Sequence, residues 1–387
     1  MIKLHGRIDA LLLIMVLVLV IFGIVMVFSA SYYSTISSEV GPYYYLQRSI
    51  RWAVIGFGVM IGVSFVPYRW FYKFAPFILV LSLVLLGLLF TPLGININGS
   101  TRWIGIQAFD DLTIMPGEIA KFAVIVFCAW YYTKYANQVK TFTKGFGVVM
   151  VVAIIYFVAI YKQPNLSTAI IVVLTILAMM FISGVPVGYV IAAGIIGGLS
   201  GYYMVQSSGG MHMGRITGFL DPFSDAQGDF FQVVQSLLAL GQGGLTGSGL
   251  GNSVQKALWL PFAQNDFIFA IIGEETGFIG CLLVMVAFMV LIWRCLLIAM
   301  RSDNRFGMLL GSGIAVLFAL QVAINIGVVT AVLPPTGVIL PFISYGGNAI
   351  LLFMFLMGIM LNISRSANPE FSRGRQKQEP RIREVAA

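Results

Sequence analysis

A single carboxylate, Asp266, lies where a glycine-rich stretch gives way to a long apolar run. If that run crosses a membrane, a charge at its first residues is costly and requires a functional explanation. Two roles suit an aspartate in this place. It could be a base that accepts a proton from a bound hydroxyl, or an N-cap that accepts hydrogen bonds from the first turn of the helix. The roles are compatible, and the residues alone leave both open.

The stretch that precedes Asp266 contains six glycines in the eleven positions 241–251. Glycine permits positive φ and a close approach of backbone amides to a ligand, but a flexible connector has the same composition. The lysine and hydroxyl pattern of a phosphate-binding loop is missing from it. Upstream, apolar residues at helical spacing over 229–240 predict an amphipathic helix that lies on a membrane leaflet or re-enters it.

The composition places the chain in a bilayer. Hydrophobic residues make up 59% and charged residues 10% of the 387 positions, and the mean hydropathy is +0.93, far from the values of a soluble domain. Ten apolar runs can cross about 30 Å of hydrocarbon, which predicts an all-α, polytopic membrane protein. The runs lie at about 8–31, 52–67, 72–91, 117–134, 146–161, 166–183, 186–205, 267–293, 306–333 and 338–363.

Charge asymmetry predicts the orientation. With a cytoplasmic N-terminus, 16 of the 23 Lys and Arg residues fall on the cytoplasmic side, as the positive-inside rule requires. We therefore expect one transmembrane domain over 1–365, an extracytoplasmic loop at 206–265 between helices 7 and 8, and a basic, disordered cytoplasmic tail at 366–387. The net charge of +8 then favours anionic lipid headgroups, and not nucleic acid, as the partner.

Cysteine and histidine usage predicts neither disulfides nor zinc. The three cysteines lie in or at the ends of apolar runs, and His5 and His212 stand in no ligand motif.

A set of short motifs recurs in order along the chain. They are GIVMVFSAS at 23–31, NGSTRWI at 98–104, PGEIAK at 116–121, QPNLST at 163–168, Arg215 with FLDP at 219–222, QS at 235–236, the glycine-rich stretch, NDFIF at 265–269 and LPFISYGG at 340–347. Each motif is weak alone, but the ordered set resembles the SEDS family (shape, elongation, division and sporulation), which includes FtsW, RodA and SpoVE. The first motif and LNISR at 361–365 are more similar to the FtsW or SpoVE branch.

The chain departs from the family pattern at five positions. The family usually has Asp, Ser and Ser where this chain has Asn165, Gly117 and Asn348, and Glu and often His where it has Phe262 and Gln264. The lost carboxylate at 165 implies a shifted dependence on Lys162 or on a cation, or a weakened enzyme.

The resemblance implies a glycosyltransferase of the bacterial cytoplasmic membrane that polymerises lipid II in cell division or sporulation. In this reaction the C4 hydroxyl of the acceptor N-acetylglucosamine is a poor nucleophile and needs a general base. Asp266 matches the aspartate that the family has in this role. Leaving pyrophosphate needs cations. The implied substrate-binding residues are Arg102, Trp103, Glu118, Lys121, Lys162, Asn165, Arg215, Gln235, Ser236, Lys256 and Ser344.

Structural roles compete with these assignments. Arg102 beside Trp103 also suits interfacial anchoring, and Glu118 with Lys121, three residues apart on a helix face, suits an ion pair within the membrane. The motif at 340–347 would break the last helix, and that break could face substrate or serve helix packing.

No cofactor is required by these patterns. A Mg²⁺ or Mn²⁺ ion that bridges the pyrophosphate stays open, with Asp266, Asp221 or Asp225 as ligands. The expected partners are lipid II, the undecaprenyl-pyrophosphate-linked glycan, a single-pass class B penicillin-binding protein with transpeptidase activity, and other divisome membrane proteins. Two alternatives are a lipid II flippase and a weakly active scaffold for a septal transpeptidase.

Overall fold

The computed structural model describes residues 8–36, 41–97, 100–105, 113–207, 221–225, 228 and 230–366. Its long helices are α1 (Ala10–Ile36), α2 (Tyr44–Phe65), α3 (Arg69–Leu88), α4 (Pro116–Lys134), α5 (Val148–Tyr161), α6 (Leu166–Ser183), α7 (Val187–Ser207), α8 (Phe231–Gly243), α10 (Ile268–Met300), α11 (Arg305–Val329) and α12 (Gly347–Ser366), with the short α9 (Gln255–Leu258) before α10. The expected tail at 366–387, Arg215 and His212 lie outside the described residues, apart from Ser366 at the end of α12.

The all-α polytopic fold predicted from hydropathy is confirmed. In the described part of the chain, eight helices are long and apolar enough to cross a membrane, and the two other predicted spans, at 117–134 and 186–205, are helical as well. Two predicted starts are wrong. α2 begins at Tyr44, eight residues earlier than expected, because arginines near its first turns hid it from a hydropathy search. α12 begins at Gly347, after Pro341 and a left-handed Phe342 (φ 64).

The centre of the bundle is formed by α4, α11 and α12. α4 packs on α3, α6, α11 and α12, and most of its side chains are buried. A helix that is apolar on all sides is expected in such a place. By contrast, α3 and α5 turn much of their surface outward, so their exposed apolar residues face lipid.

Both ends of the described chain lie on one face. The backbone N–H of Asp9 donates to Ser364 Oγ at 3.3 Å, and Arg294, near the end of α10, donates to the Asp9 carboxylate at 2.8 and 3.1 Å. We call this the terminal face. The opposite side, which holds residues 94–97, 100–105, 162–165, 230–267 and 330–346, is the site face.

A small antiparallel sheet lies on the site face. It consists of β1 (Gly94–Ile97), β2 (Ser100–Gly105) and β3 (Thr113–Ile114), in that order, with Trp103 of β2 opposite Ile95. The sheet was not predicted, because the segment lacks a sustained two-residue alternation. It carries Trp103 opposite Ile95 and Arg102 at a β-bulge, where the pairing passes from Trp103 to Thr101.

The glycine loop (residues 241–251) fills a break in α10. Gly277 has φ 68 and interrupts the helix. The amides of Phe278 and Ile279 bond the carbonyls of loop residues 244 and 245 at 2.9 and 3.2 Å, and the amides of loop residues 248 and 249 bond the carbonyls of Glu274 and Glu275 at 2.9 and 3.0 Å. The irregular backbone at the break in this apolar helix is thus satisfied inside the protein.

Glycine is required where loop and helix meet. A Cβ at Gly243 would lie 1.9 Å from the carbonyl oxygen of Gly273, and a Cβ at Gly277 would lie 2.4 Å from the amide nitrogen of Gly247. The predicted amphipathic helix is present as α8, but its buried face packs on α10 and α11. The loop is therefore a packed structural element and not a connector.

Candidate active site

Asp266 lies in the turn before α10 and does not cap it. The helix begins two residues later, at Ile268, with Phe267 as its N-cap and no side-chain hydrogen bond to its first turn. The capping role considered from the sequence is therefore wrong. The carboxylate instead faces the turn after α11, where a Cβ on Gly337 would lie 3.7 Å from Asp266 Oδ2.

Hydrogen bonds to main-chain carbonyl oxygens hold the Asp266 segment in place. Asn325 of α11 donates through Nδ2 to the carbonyl oxygens of Asp266 and Val338, each at 2.7 Å. The amide of Tyr345 donates to the carbonyl oxygen of Gln264 at 2.9 Å. The segment is thus fixed on one side to α11 and on the other to the irregular chain before α12.

The surroundings of Asp266 change its acidity. Burial raises the pKa of this carboxyl to about 6, although a hydrogen bond from its own amide opposes the rise. With that pKa the group is about 90% ionised at pH 7. The carboxylate is therefore a stronger base than an ordinary aspartate and is still ionised at neutral pH.

A buried polar cluster lies inside the bundle. Lys121 Nζ donates to Glu118 Oε1 at 2.7 Å and to Gln321 Oε1 at 3.3 Å, and all three residues are buried. Glu118 Oε2 and Gln321 Nε2 have no hydrogen-bond partner among the described residues. Gln321 lies one helical turn from Asn325 on α11, so this cluster and the Asp266 anchor share one face of that helix.

One predicted cation bonds the turn between α5 and α6, and a second lies in that turn. Arg102 of β2 donates to the carbonyl oxygen of Pro164, and Lys162 in the same turn is exposed. Asn165 caps α6 by accepting from the Thr168 amide at 3.3 Å.

Two of the departures from the family pattern are neighbours in space. A Cβ on Gly117 would lie 3.7 Å from Asn165 Nδ2, which has no partner in the described part of the chain.

Lys256 occupies a different environment. It is buried, pairs with Glu275 and donates to Ser29 Oγ of α1 at 2.9 Å. The neighbouring Glu274 accepts from the Val254 amide at 2.7 Å. The two glutamates join α1, α9 and α10. The ammonium of Lys256 is therefore committed inside the protein.

The remaining predicted residues are positioned as follows. Ser236 is buried and donates to the carbonyl oxygen of Val329 at 2.9 Å, and Ser344 accepts from the Leu340 amide at 2.9 Å. Both tie backbone segments together. Gln235 and Trp103 are partly exposed, and Arg215 lies outside the described residues. Binding roles for these residues stay predictions.

No metal-ligand group is evident in the described ranges. Within them no three His, Cys, Asp or Glu side chains are grouped as metal ligands. The proposed use of Asp221 or Asp225 beside Asp266 stays a prediction.

Sequence reasoning missed Asn325 and Gln321. Both are buried polar residues in an apolar helix, and such residues in a membrane span point to a function by default. That signal was present in the text of α11, four residues apart.

Comparisons with known proteins agree over almost the whole chain. The FTSW_RODA_SPOVE family model, described as cell cycle protein, matches residues 9–369. Stage V sporulation protein E of Bacillus subtilis (strain 168) is 38% identical over 358 residues, which cover 92% of this chain and 97% of that protein. The probable peptidoglycan glycosyltransferase FtsW of Geobacter sulfurreducens (strain DL-1 / KN400) is 37% identical over 359 residues, with coverage of 92% and 95%.

Solved structures share the fold. A chain of a peptidoglycan synthase complex that coordinates polymerization and crosslinking has a TM-score of 0.78, 22% identity and coverage of 94% of this chain and 99% of that chain. The rod shape determining protein RodA of Thermus thermophilus has a TM-score of 0.67, 22% identity and coverage of 93% and 98%. With the family match, these likenesses confirm the expected resemblance: the chain belongs to the FtsW, RodA and SpoVE family of cell cycle proteins.

Proposed function

We propose that this protein is a peptidoglycan glycosyltransferase that polymerises lipid II, with Asp266 as its general base. The acceptor C4 hydroxyl attacks C1 of the donor N-acetylmuramic acid, a C–O bond forms, and the bond from C1 to the pyrophosphate oxygen breaks. The hydroxyl proton passes to Asp266, and undecaprenyl pyrophosphate leaves. The observation that carries the proposal is the Asp266 carboxylate of this family member. It lies on the site face, does not cap α10 and has a pKa raised to about 6.

Arg102 and Lys162 are the best-placed cations for the leaving pyrophosphate. They converge on one turn of the site face through the Arg102 contact with Pro164. A guanidinium matches phosphate oxygens in a fork, and an exposed ammonium adds charge. Lys121 and Lys256 have buried carboxylate partners, so their contribution is to the fold around the site.

A divalent cation fits best as a companion of the substrate. The described residues offer no three-ligand group, whereas a pyrophosphate supplies hard oxygen ligands of its own, which Mg²⁺ prefers. Mg²⁺ or Mn²⁺ would then enter with lipid II. Asp266, Asp221 or Asp225 could add one ligand.

The chain works in the membrane with a partner. It is a multi-pass membrane protein, and relatives such as the one from Geobacter sulfurreducens are named probable peptidoglycan glycosyltransferases. We place both termini in the cytoplasm, with the site face outside, where lipid II is polymerised. A fold shared with a chain of a peptidoglycan synthase complex supports a single-pass class B penicillin-binding protein as partner.

Glycan synthesis from lipid II tests the proposal. The purified protein with its cognate transpeptidase should convert labelled lipid II into glycan strands resolved by gel, and Asp266→Asn should lower the rate by at least about 10²-fold. Strand synthesis by Asp266→Asn at the wild-type rate would reject the base. Transfer of lipid II across the membrane of vesicles, without strand synthesis, would identify a flippase. The absence of both strand synthesis and transfer would favour a scaffold.

A further inference from the structure

Asn325 is a fully buried polar residue near the outer end of α11. Its Nδ2 donates two hydrogen bonds of 2.7 Å, one to the Asp266 carbonyl and one to the Val338 carbonyl. Both donor hydrogens of the amide are thereby used. One side chain thus joins the segment that carries the candidate base to the turn that faces it.

The Asp266 carboxylate depends on this support. Phe267, and not Asp266, is the N-cap of α10, and no side chain in the described ranges donates a hydrogen bond to the Asp266 carboxylate. Its direction is therefore set by its main chain. Since the main chain of residue 266 lies outside the helix, the anchor on its carbonyl oxygen fixes the backbone from which the carboxylate extends.

The facing turn is held by the same amide. Gly337 has φ +67, and a Cβ there would lie 3.7 Å from Asp266 Oδ2. The next residue, Val338, supplies the second carbonyl that Asn325 binds. Asn325 thus bonds both the segment of the base and the turn that faces it.

We propose that Asn325 is a positioning residue that sets the Asp266 carboxylate relative to the turn at Gly337. This inference rests on the proposed function. A displacement of about 1 Å in a reacting group can cost about 10²-fold in rate. A positioning role predicts a loss in kcat with little change in KM, because substrate binding uses other residues.

The chain offers a matched control at the other end of the bundle. Asn362 is also buried and also bridges two backbone segments: Oδ1 accepts from the Tyr68 amide at 2.9 Å, and Nδ2 donates to the Ser64 carbonyl at 2.8 Å. It lies on the terminal face. A leucine at either position keeps the volume and removes the hydrogen bonds.

The experiment compares Asn325→Leu with Asn362→Leu in lipid II polymerisation and thermal unfolding. We expect kcat to fall about 10²-fold in Asn325→Leu, with KM within about twofold, while Asn362→Leu loses comparable thermal stability and retains wild-type kcat. Wild-type kcat in Asn325→Leu, or equal losses of kcat in both variants, would overturn the inference.

A milder variant covers a failure to fold. Asn325→Ser keeps one donor on a shorter side chain, so we expect an intermediate kcat, and wild-type kcat in this variant would also overturn the inference. The wild-type protein separates the two proposals. If it makes no glycan strands in this assay, the proposed function has failed and not the positioning role.

Discussion

Asp266 differs from most aspartates that precede a helix. Its carboxylate bonds none of the first-turn amides of α10, so no helix end competes with a substrate hydroxyl for its lone pairs. Its backbone is held instead, through Asn325. A base with a fixed main chain suits proton transfer when its carboxylate, beyond the bond from its own amide, keeps lone pairs for the substrate hydroxyl.

The acidity of Asp266 predicts the pH profile of polymerisation. The base must be ionised, and its pKa is raised to about 6, so the rate should rise tenfold per pH unit below about pH 6 and level off above it. Steady-state rates between pH 4.5 and 8 would measure this limb. A midpoint near 4, the value of an ordinary aspartate, would contradict the burial argument.

Asp266→Asn should not reduce stability at neutral pH. The folded-state pKa lies above the unfolded value, so the ionised carboxylate disfavours the fold, and this cost grows as pH rises from about 4 through about 6. The neutral amide avoids the cost. Thermal unfolding at pH 7.5 should give a melting temperature equal to or above that of the wild type; a clear drop would restore a structural role for the carboxylate.

At the scale of elements, α10 consists of two helical segments that meet at Gly277, and the glycine loop packs against the break between them. The glycine loop supplies the hydrogen bonds that the helix lacks around Gly277. The buried pair of Lys256 and Glu275 fastens the chain that follows the loop to α1 and α10. The half-helix that begins beside Asp266 is therefore supported by the loop.

A methyl group at the junction should separate loop and helix. Gly277→Ala places a Cβ within 2.4 Å of backbone at φ 68, which should cost at least about 1–3 kcal/mol of stability. Gly241→Ala, in the last turn of α8 where the loop begins, is the control, since nothing lies within 4 Å of its Cβ position. Thermal unfolding of both variants measures the difference; equal melting temperatures would contradict the packed loop.

Two lysines that look alike in the sequence should behave differently. Lys256→Met leaves the buried Glu275 unpaired and should destabilise the protein by about 3–5 kcal/mol. Lys162 is exposed, so Lys162→Met should stay within about 0.5 kcal/mol of wild type and raise the KM for lipid II. Unfolding and kinetics on the same preparations test both statements, and a reversed pattern would exchange the two roles.

At the scale of the whole molecule, hydropathy predicted the fold class and the ten helical spans, because each span must bury its backbone polar groups in a helix. Partners across the bundle were not predictable in the same way. The sequence shows Lys256 as a charge but not its contact with Glu275, and Asn325 binds a residue 59 positions away. Such pairs depend on packing and not on local periodicity.

The topology predicts opposite labelling of two cysteines. Leu250 on the site face and Arg301 on the terminal face are both exposed, and the native Cys128, Cys281 and Cys295 are buried, which keeps the background low. In whole cells, an impermeant maleimide should label Leu250→Cys and leave Arg301→Cys unlabelled. In opened cells it should label Arg301→Cys as well. The reverse result would invert the membrane orientation.

The break in α10 also makes detachment of the glycine loop measurable by hydrogen exchange of backbone amides. In an unbroken helix, the amides of Phe278 and Ile279 would bond carbonyls four residues earlier. Here they bond the glycine loop, as the amides of Ser248 and Gly249 bond α10. These four amides should take up deuterium at one shared rate. That rate measures how often the loop detaches from the helix, without any probe attached to the chain.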